Sequence, residues 1–208
     1  MYEYRGIRGL VAAELIKDTK TELEYGTPFF IAGTAQLTKE TESSSEPHFY
    51  DNRPAILVDA SGADKINCST SVIPPNVLAA LTGQHYDEET GVFVEGKPQS
   101  KYFAIGYITS DTSGRDRYVW RLKVKCAIPS EEHNTKDDGT DANGQELEFT
   151  GIETDHEFLE TDDTAKAVVY ESEKELFTEE EFFEKVQTVD TIKDKAKNQE
   201  KPNENMDQ

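Results

Sequence analysis

The stretch KYFAIGYITSDTSGRDRYVWRLKVKCAI, Lys101 to Ile128, decides the fold. Tyr118, Trp120, Leu122, Val124, Cys126 and Ile128 alternate with Arg117, Val119, Arg121, Lys123 and Lys125. A two-residue period sustained over this length puts one set of side chains on each face of a β-strand. Its partner is Tyr102–Thr109, with Phe103, Ile105 and Tyr107 as the apolar face, and DTSGRD supplies the turn. The pair predicts an antiparallel hairpin at the centre of a mainly β domain, with Trp120 buried.

Upstream, FFIAGTAQL (Phe29–Leu37) reads as a strand with Ile31, Gly33, Ala35 and Leu37 on one face. The polar run Thr38–Pro54, TKETESSSEPHFYDNRP, is too long for a simple connection and is read as a functional or disordered loop. AILVD and DKINCSTSV read as two further strands, the second with Ile66, Cys68, Thr70 and Val72 on one face. Pro74 and Pro75 open a short helix, PPNVLAALTG, that Gly83 ends. Val77, Leu78 and Leu81 are spaced to face a sheet.

Downstream, an Asp/Asn/Gly-rich loop over Glu131–Gly144 precedes a strand in QELEFTGIETDHEF, where Leu147 and Phe149 alternate with Glu146, Glu148 and Thr150. AKAVVYES reads as a last short strand. FTEEEFFEKVQTV reads as an acidic amphipathic helix, with Thr178 as N-cap, Glu181 three residues on, and Phe182, Phe183 and Val186 as its apolar side. From Thr191 onward almost nothing is apolar, which predicts disorder. The chain thus divides into a β domain over 1–160, an acidic extension over 161–190 and a disordered tail over 191–208.

With a formal net charge of −20, the surface of a single copy is unsuited to gripping nucleic acid, because phosphate binding needs basic patches. The mean hydropathy of −0.72 still allows one modest core. Cys68 and Cys126 form no CxxC pair and sit in alternating strands, so buried free thiols are expected, and a disulfide between them stays open. MYEYRGIRGL lacks the apolar run of a signal peptide, and no stretch is long enough for a transmembrane helix. The chain is read as soluble and made in a cytoplasm.

Four motifs invite chemistry. GVFVEGKP (Gly91–Pro98) has the letter spacing of a phosphate-cradling loop. Such a loop needs converging backbone N–H groups and a hydroxyl after the lysine. Val92, Phe93 and Val94 favour extended chain, and Pro98 stands in the hydroxyl position, so a short strand is the reading. DDGTDANGQE (Asp137–Glu146) fails the EF-hand pattern, with Gly139 and Thr150 where Asp and Glu are required. It is read as a solvated turn, with a weak, irregular Ca²⁺ site as the alternative. The basic row Arg117, Arg121, Lys123 and Lys125 is explained by cross-strand pairing with the acidic strand Gln145–Thr150; contact with an acidic neighbouring subunit is the other use. His48, His85, His133 and His156 occur singly in polar loops or beside acids, and no nucleophile–base constellation appears.

In order and spacing these pieces resemble the major tail proteins of long, non-contractile-tailed phages. The matching runs are GIRGL, YGTPFFIAG, FYDNRP, PPNVLAALTGQHYDEETGVFVE and, above all, Phe103–Tyr107, Arg117–Trp120, Pro129–Glu131 and Thr135–Lys136. The resemblance covers Tyr4 to Phe158. It implies a β-sandwich or barrel-like tail tube fold with one flanking short helix, like other phage tail tubes and the inner tubes of type VI secretion. It also implies hexameric, stacked rings, no catalysis and no cofactor or metal. The implied partners are further copies of the chain, a tape-measure protein and the tail initiator and terminator proteins, with DNA only as transiting cargo and no membrane contact.

The expected function is that of a structural virion protein, a conduit for DNA ejection. Its alternative is a monomeric acidic β-sandwich module that binds carbohydrate or Ca²⁺. The candidate contacts between subunits are Glu40, Glu42, His48, Phe49, Tyr50 and Arg53 in the long loop, and Arg117, Arg121, Lys123 and Lys125 in the basic row. In tail tubes a long loop early in the chain reaches the adjacent ring, so Thr38–Pro54 is expected to be disordered in a free copy and to order on stacking.

Overall fold

The computed structural model describes residues 2–50, 53–130 and 144–200, with backbone alone at 46–50, 54–60 and 200. In chain order the elements are β1 (Tyr4–Asp18), β2 (Leu23–Tyr25), β3 (Phe29–Ala32), β4 (Thr34–Tyr50), β5 (Arg53–Thr70), α1 (Pro75–Thr82), β6 (His85–Asp87) and β7 (Val92–Val94). They continue with β8 (Phe103–Asp111), β9 (Asp116–Cys126), β10 (Gln145–Gly151), β11 (Ala167–Glu171), a 3₁₀ turn (Ser172–Lys174), α2 (Glu179–Phe183) and α3 (Val189–Glu200).

The protein is mainly β. One antiparallel sheet runs β2-β1-β8-β9-β10-β5-β4, with β3 also on β1 and β11 also on β9; β6 and β7 form a separate hairpin. Only Gly33 separates β3 from β4, so the chain itself passes from one end of the sheet to the other. No ladder joins β4 to β1 among the described residues, and the sheet is not closed into a barrel.

The central hairpin forms as its alternation predicts, with β8 and β9 antiparallel. The alternation does not keep one face, however. The β8–β9 register shifts between Phe103 and Ile105, and such an irregularity turns following side chains to the other side. Tyr118, Trp120 and Leu122 enter one apolar cluster, while Val124 and Cys126 enter another on the opposite face. Ile128 lies beyond β9 and is exposed. Phe103, Ile105 and Tyr107 do share a face, but Ala104 and Ile108 pack into the second cluster, so β8 is buried on both sides.

The first cluster joins β8 and β9 to Ile31, Ile66, Leu147 and Phe149, with Leu78 and Leu81 of α1 capping it. Pro74 precedes α1, and Gly83 ends it in the left-handed region (φ 67°). The expected strand face at Ile66, Cys68 and Thr70 is buried, but Val72 lies past the end of β5 and is exposed. FFIAGTAQL is not one strand. It breaks at Gly33, whose N–H donates to Ser71 Oγ (3.1 Å), and pairing passes from β1 to β5.

The second cluster is covered by the C-terminal segment. Trp120 is fully buried there, its indole N–H donating to the Phe182 carbonyl (3.3 Å). Gly106 makes the approach possible. A Cβ at that position would lie 2.8 Å from Val11 Cγ2 and 2.9 Å from both Trp120 Cζ3 and Phe183 Cε1. The capping box forms at Thr178 and Glu181 as expected, but α2 stops at Phe183 and Val186 is buried beyond it. The disorder expected from Thr191 is corrected as far as Glu200, which belongs to α3. Val189 and Ile192 pack on the second cluster, and Lys195 lies over the Phe177 ring, 4.0 Å from its centroid. Residues 201–208 lie outside the described residues.

Strand β1 is absent from the sequence reading. Gly6 and Gly9 have positive φ (136° and 71°), and the β1–β8 register shifts twice near them. Bulges of this kind erase the two-residue period by which a strand is recognised.

Candidate assembly interface

The described residues of the run Thr38–Pro54, 38–50 and 53–54, are paired strand rather than a loop. Strand β4 continues through it to Tyr50, and β5 returns from Arg53, with register pairs from Thr34↔Thr70 out to Tyr50↔Arg53. Strand β10 pairs β5 only over Asp64–Thr70. Beyond Ser43↔Ser61 the hairpin therefore runs outward as two strands alone. From Ser43 to Tyr50 this ribbon is on the order of 25 Å long at ~3.3 Å per residue.

The base of the ribbon is clamped by charge. Asp64 is 2% exposed. Its carboxylate accepts from Thr41 Oγ1 (2.8 Å) and Arg121 Nη1 (3.4 Å), with Lys39 Nζ at 3.8 Å and Lys166 Nζ at 4.0 Å. Lys166 also donates to Ser61 Oγ (2.9 Å) and the Gly62 carbonyl. A carboxylate this deeply buried needs such partners, and removing one would leave an uncompensated charge. The β4–β5 register shifts between Thr41 and Ser43, next to the clamp.

Of the residues singled out in this arm, Glu40 and Glu42 are exposed on β4, and Glu42 pairs with Lys65 (3.0 Å). That bond raises the Lys65 pKa above its ordinary 10.5. His48, Phe49 and Tyr50 occupy the last three positions of β4, and exposed Arg53 opens β5 opposite Tyr50.

The basic row is not paired with the acidic strand as expected. Strand β10 meets β9 only over Val124–Cys126, so Glu146 and Glu148 do not lie opposite Arg117, Arg121 or Lys123. Arg117 donates to Tyr4 Oη (3.1 Å) and lies over that ring. Arg121 is held by the Tyr107 hydroxyl (3.3 Å) and Asp64. Lys123 is buried, bonded to Asp18 (2.7 Å) and Asp155 (2.9 Å). Burial opposes its charge, but these two carboxylates outweigh it and raise its pKa above 10.5. Lys125 is exposed opposite Thr150. The row is thus distributed among three different settings and does not form one patch.

Arg117 and Arg121 do meet in a groove of about 1310 Å³. It is lined by residues of β1, β4, β8, β9, β11 and α3, with Leu37, Val169 and Ile192 among its apolar lining. Lys39, Lys174 and Lys193 add to the two arginines, and one carboxylate, Glu171, faces them. Neither Arg117 nor Lys193 is ion-paired among the described residues.

The glycine–lysine stretch is a strand, as read. Val92–Val94 pairs with His85–Asp87, Gly91 closes the turn (φ 69°), and the Asp87 carboxylate accepts from Glu89 N–H (3.0 Å) and Thr90 Oγ1 (2.6 Å). Residues 137–143 of the calcium-like run lie outside the described residues, as do His133 and the motif positions Glu131, Thr135 and Lys136. Both cysteines are free and buried. Burial pushes each thiol up to about 12. No group of three or more His, Cys, Asp or Glu among the described residues is placed to hold a metal ion. No helix among them is long and apolar enough to cross a membrane.

The sequence reading missed Lys39, Asp64 and Lys166. They lie far apart in the chain, and nothing local marks them as neighbours. Compared with known proteins, the chain matches no family model, and no curated protein is similar to it at a significant level.

Proposed function

We propose that this chain is the subunit of a phage tail tube, a structural virion protein without catalytic function. In this reading, copies of its β domain form hexameric rings that stack into a conduit for DNA ejection. Further copies, a tape-measure protein and the tail initiator and terminator proteins are its partners. The resemblance of the central hairpin and its flanking motifs supports this.

The observation that carries the proposal is the outer β4–β5 ribbon. An isolated two-stranded ribbon is marginally stable in water. A chain that builds one on the order of 25 Å long (at ~3.3 Å per residue) and clamps its base to Asp64 presents an arm. An arm of that kind has an obvious use in reaching the next ring. The open sheet supports assembly as well, since β4 ends it and leaves one row of backbone groups for other partners. The net charge of −20 per chain repels copies from one another, and a negative channel wall does not grip passing DNA.

The test is electron microscopy of concentrated protein across a salt series, with and without tail initiator proteins. Salt at a few tenths molar shortens the Debye length below about 8 Å and should promote stacking. The comparison variant has Ser43–Ser61 replaced by a short Gly/Ser linker. Rings that no longer stack are the expected result for it. A wild-type protein that stays monomeric under every condition removes the tail tube reading and favours a monomeric binding module.

A further inference from the structure

The groove that β4 and α3 help to line asks for an occupant that is acidic and carries an apolar anchor. Five cationic side chains line it; Asp64 engages Lys39 and Arg121, and Arg117, Lys174 and Lys193 remain against Glu171, in a chain with 42 acidic and 22 basic residues. Its cations are thus a local exception to the acidity of the molecule. Exposed Val169 and half-buried Ile192 leave apolar surface uncovered between them.

The same chain carries a feature of complementary shape and charge. Leu159 is 85% exposed, more than any other large apolar residue described. It stands on a tight turn in the run Glu157-Phe158-Leu159-Glu160-Thr161-Asp162-Asp163. Phe158 N–H donates to the Asp163 carbonyl (3.0 Å), and Asp162 N–H to that of Phe158 (2.9 Å). Asp162 takes a left-handed conformation (φ 50°). The buried Phe158 ring anchors the turn, and the Asp190 carboxylate accepts from Leu159 N–H (3.1 Å) and Glu160 N–H (3.0 Å). A leucine held out on so fixed a backbone costs little entropy to bind.

We infer that the Leu159 turn of one copy inserts into the β4–α3 groove of a second copy. Leu159 then meets the apolar lining at Val169 and Ile192, while Asp162 and Asp163 face Arg117, Lys174 and Lys193; Glu160 stays paired with Lys197 of its own copy. Within one copy the turn is tied to Asp190 on the flank of α3, whereas the groove is lined by Val189, Ile192, Lys193 and Ala196 of that helix. The turn does not line its own groove. This contact rests on the self-assembly reading above and is separate from the ribbon. It brings together a fixed apolar tip, a ring of acids and a basic apolar recess, the ingredients of a central anchor with a charged rim.

The experiment uses sedimentation velocity and thiol cross-linking of the full chain. Leu159→Asp, Arg117→Glu and Asp162→Lys should each weaken self-association by about tenfold or more, with a cooperative melt retained in all three and the midpoint unchanged in Leu159→Asp, whose side chain is exposed. Combining Arg117→Glu with Asp162→Lys should restore part of it. When Leu159→Cys and Val169→Cys proteins are mixed, a short bismaleimide should link one to the other, because Cys68 and Cys126 are buried. The link should persist when the outer ribbon is replaced by a linker. If Leu159→Asp associates as the wild type does and no link forms while tubes still assemble, the turn-in-groove contact is wrong and the tube reading survives. If only Arg117→Glu weakens association, the groove receives a different acidic segment and the proposal is overturned. A wild type that never associates overturns both.

Discussion

The C-terminal segment and the outer β4–β5 ribbon each contain a polar run that reads as flexible chain, from Thr191 and over Thr38–Pro54, and both are regular structure where described. They differ in what lies behind them. The C-terminal segment brings Phe182 and Phe183 against Tyr118 and Trp120, with ring centroids 5.3 Å apart for Tyr118–Phe182 and 5.5 Å for Trp120–Phe183, and Phe177 against Tyr170. The ribbon beyond Ser43↔Ser61 has its backbone ladder and no further strand of the sheet beside it. Backbone pairing without a covered face contributes little to folding, whereas a few aromatic side chains among acids contribute much. The first region completes the fold of one copy, and the second is the part that the proposed function gives to contacts with others.

The largest expected effect tests the first half of that contrast. Trp120→Ala removes the ring at the centre of the second cluster and leaves the Phe182 carbonyl without its donor. It should cost about 3–5 kcal/mol, read as loss of a cooperative melt or a large fall in its midpoint. A variant that melts like the wild type would show that the C-terminal segment does not depend on Trp120. Gly106→Ala should come next, at about 1–3 kcal/mol from overpacking, because the added methyl meets Trp120, Val11 and Phe183 together. Denaturant midpoints at unchanged slope would measure it.

These two positions also mark how far the fold can be read from its sequence. The Phe-Ala-Ile-Gly-Tyr strand and the Arg-Tyr-Val-Trp strand were legible because each keeps a two-residue period over many residues. The glycine within the first, Gly106, is explained only by the rings that pass over it. The change of face after Leu122 could not be read, since it depends on register with β8. Helix α3 was missed for a related reason. Its apolar content is small, so its order comes from docking, through Ile192 on the aromatic cluster and Lys195 bonded to Glu181 (2.9 Å). The arm was located by its odd length and composition, but its pairing was not, because its Ser- and Glu-rich first strand carries no apolar alternation to match the AILV run opposite. The clamp at Asp64 gathers residues from three distant stretches and had no local signal at all.

Deleting Thr191–Gln208 sharpens the contrast from the C-terminal side. It removes a half-buried isoleucine and the Lys195 contacts, so the expected loss is about 1–2 kcal/mol, a midpoint drop of roughly 3–6 °C. No change would mean that α3 is not docked.

The hairpin turn between β8 and β9 supplies a smaller, pH-dependent effect. The Asp111 carboxylate accepts from Ser113 Oγ and N–H (2.8 Å for the latter) and from Arg115 N–H and Nε (3.2 and 2.9 Å). These bonds, the Ser113 hydroxyl foremost, hold its pKa well below the ordinary 3.8. A carboxylate shifted downward stabilises the fold above its unfolded pKa and loses that contribution as pH falls below it. Thermal midpoints between pH 5 and 2 should therefore fall less steeply in Asp111→Asn than in the wild type. Parallel slopes would mean that the turn acid does not contribute.

The smallest expected effect is the one that most directly challenges the comparison. Replacing Ser43–Ser61 with a short Gly/Ser linker removes the whole outer ribbon but keeps Thr41, Asp64, Arg121 and Lys39 of the clamp. Lys166 loses Ser61 as an acceptor but keeps the Gly62 carbonyl and stays beside Asp64. A two-stranded ribbon with no covering layer adds almost nothing to the stability of the body, and a linker of modest length has a small closure cost. The melting midpoint of dilute, monomeric variant should stay within about 2 °C of the wild type. The same substitution should abolish stacking at concentrations where the wild type forms tubes. A fall of many degrees in the monomer would mean that the ribbon folds back on its own domain, and its availability to a neighbouring ring would then be lost. An unchanged midpoint together with lost stacking would assign the arm to contacts between copies and leave folding to the aromatic cluster at the other end of the chain.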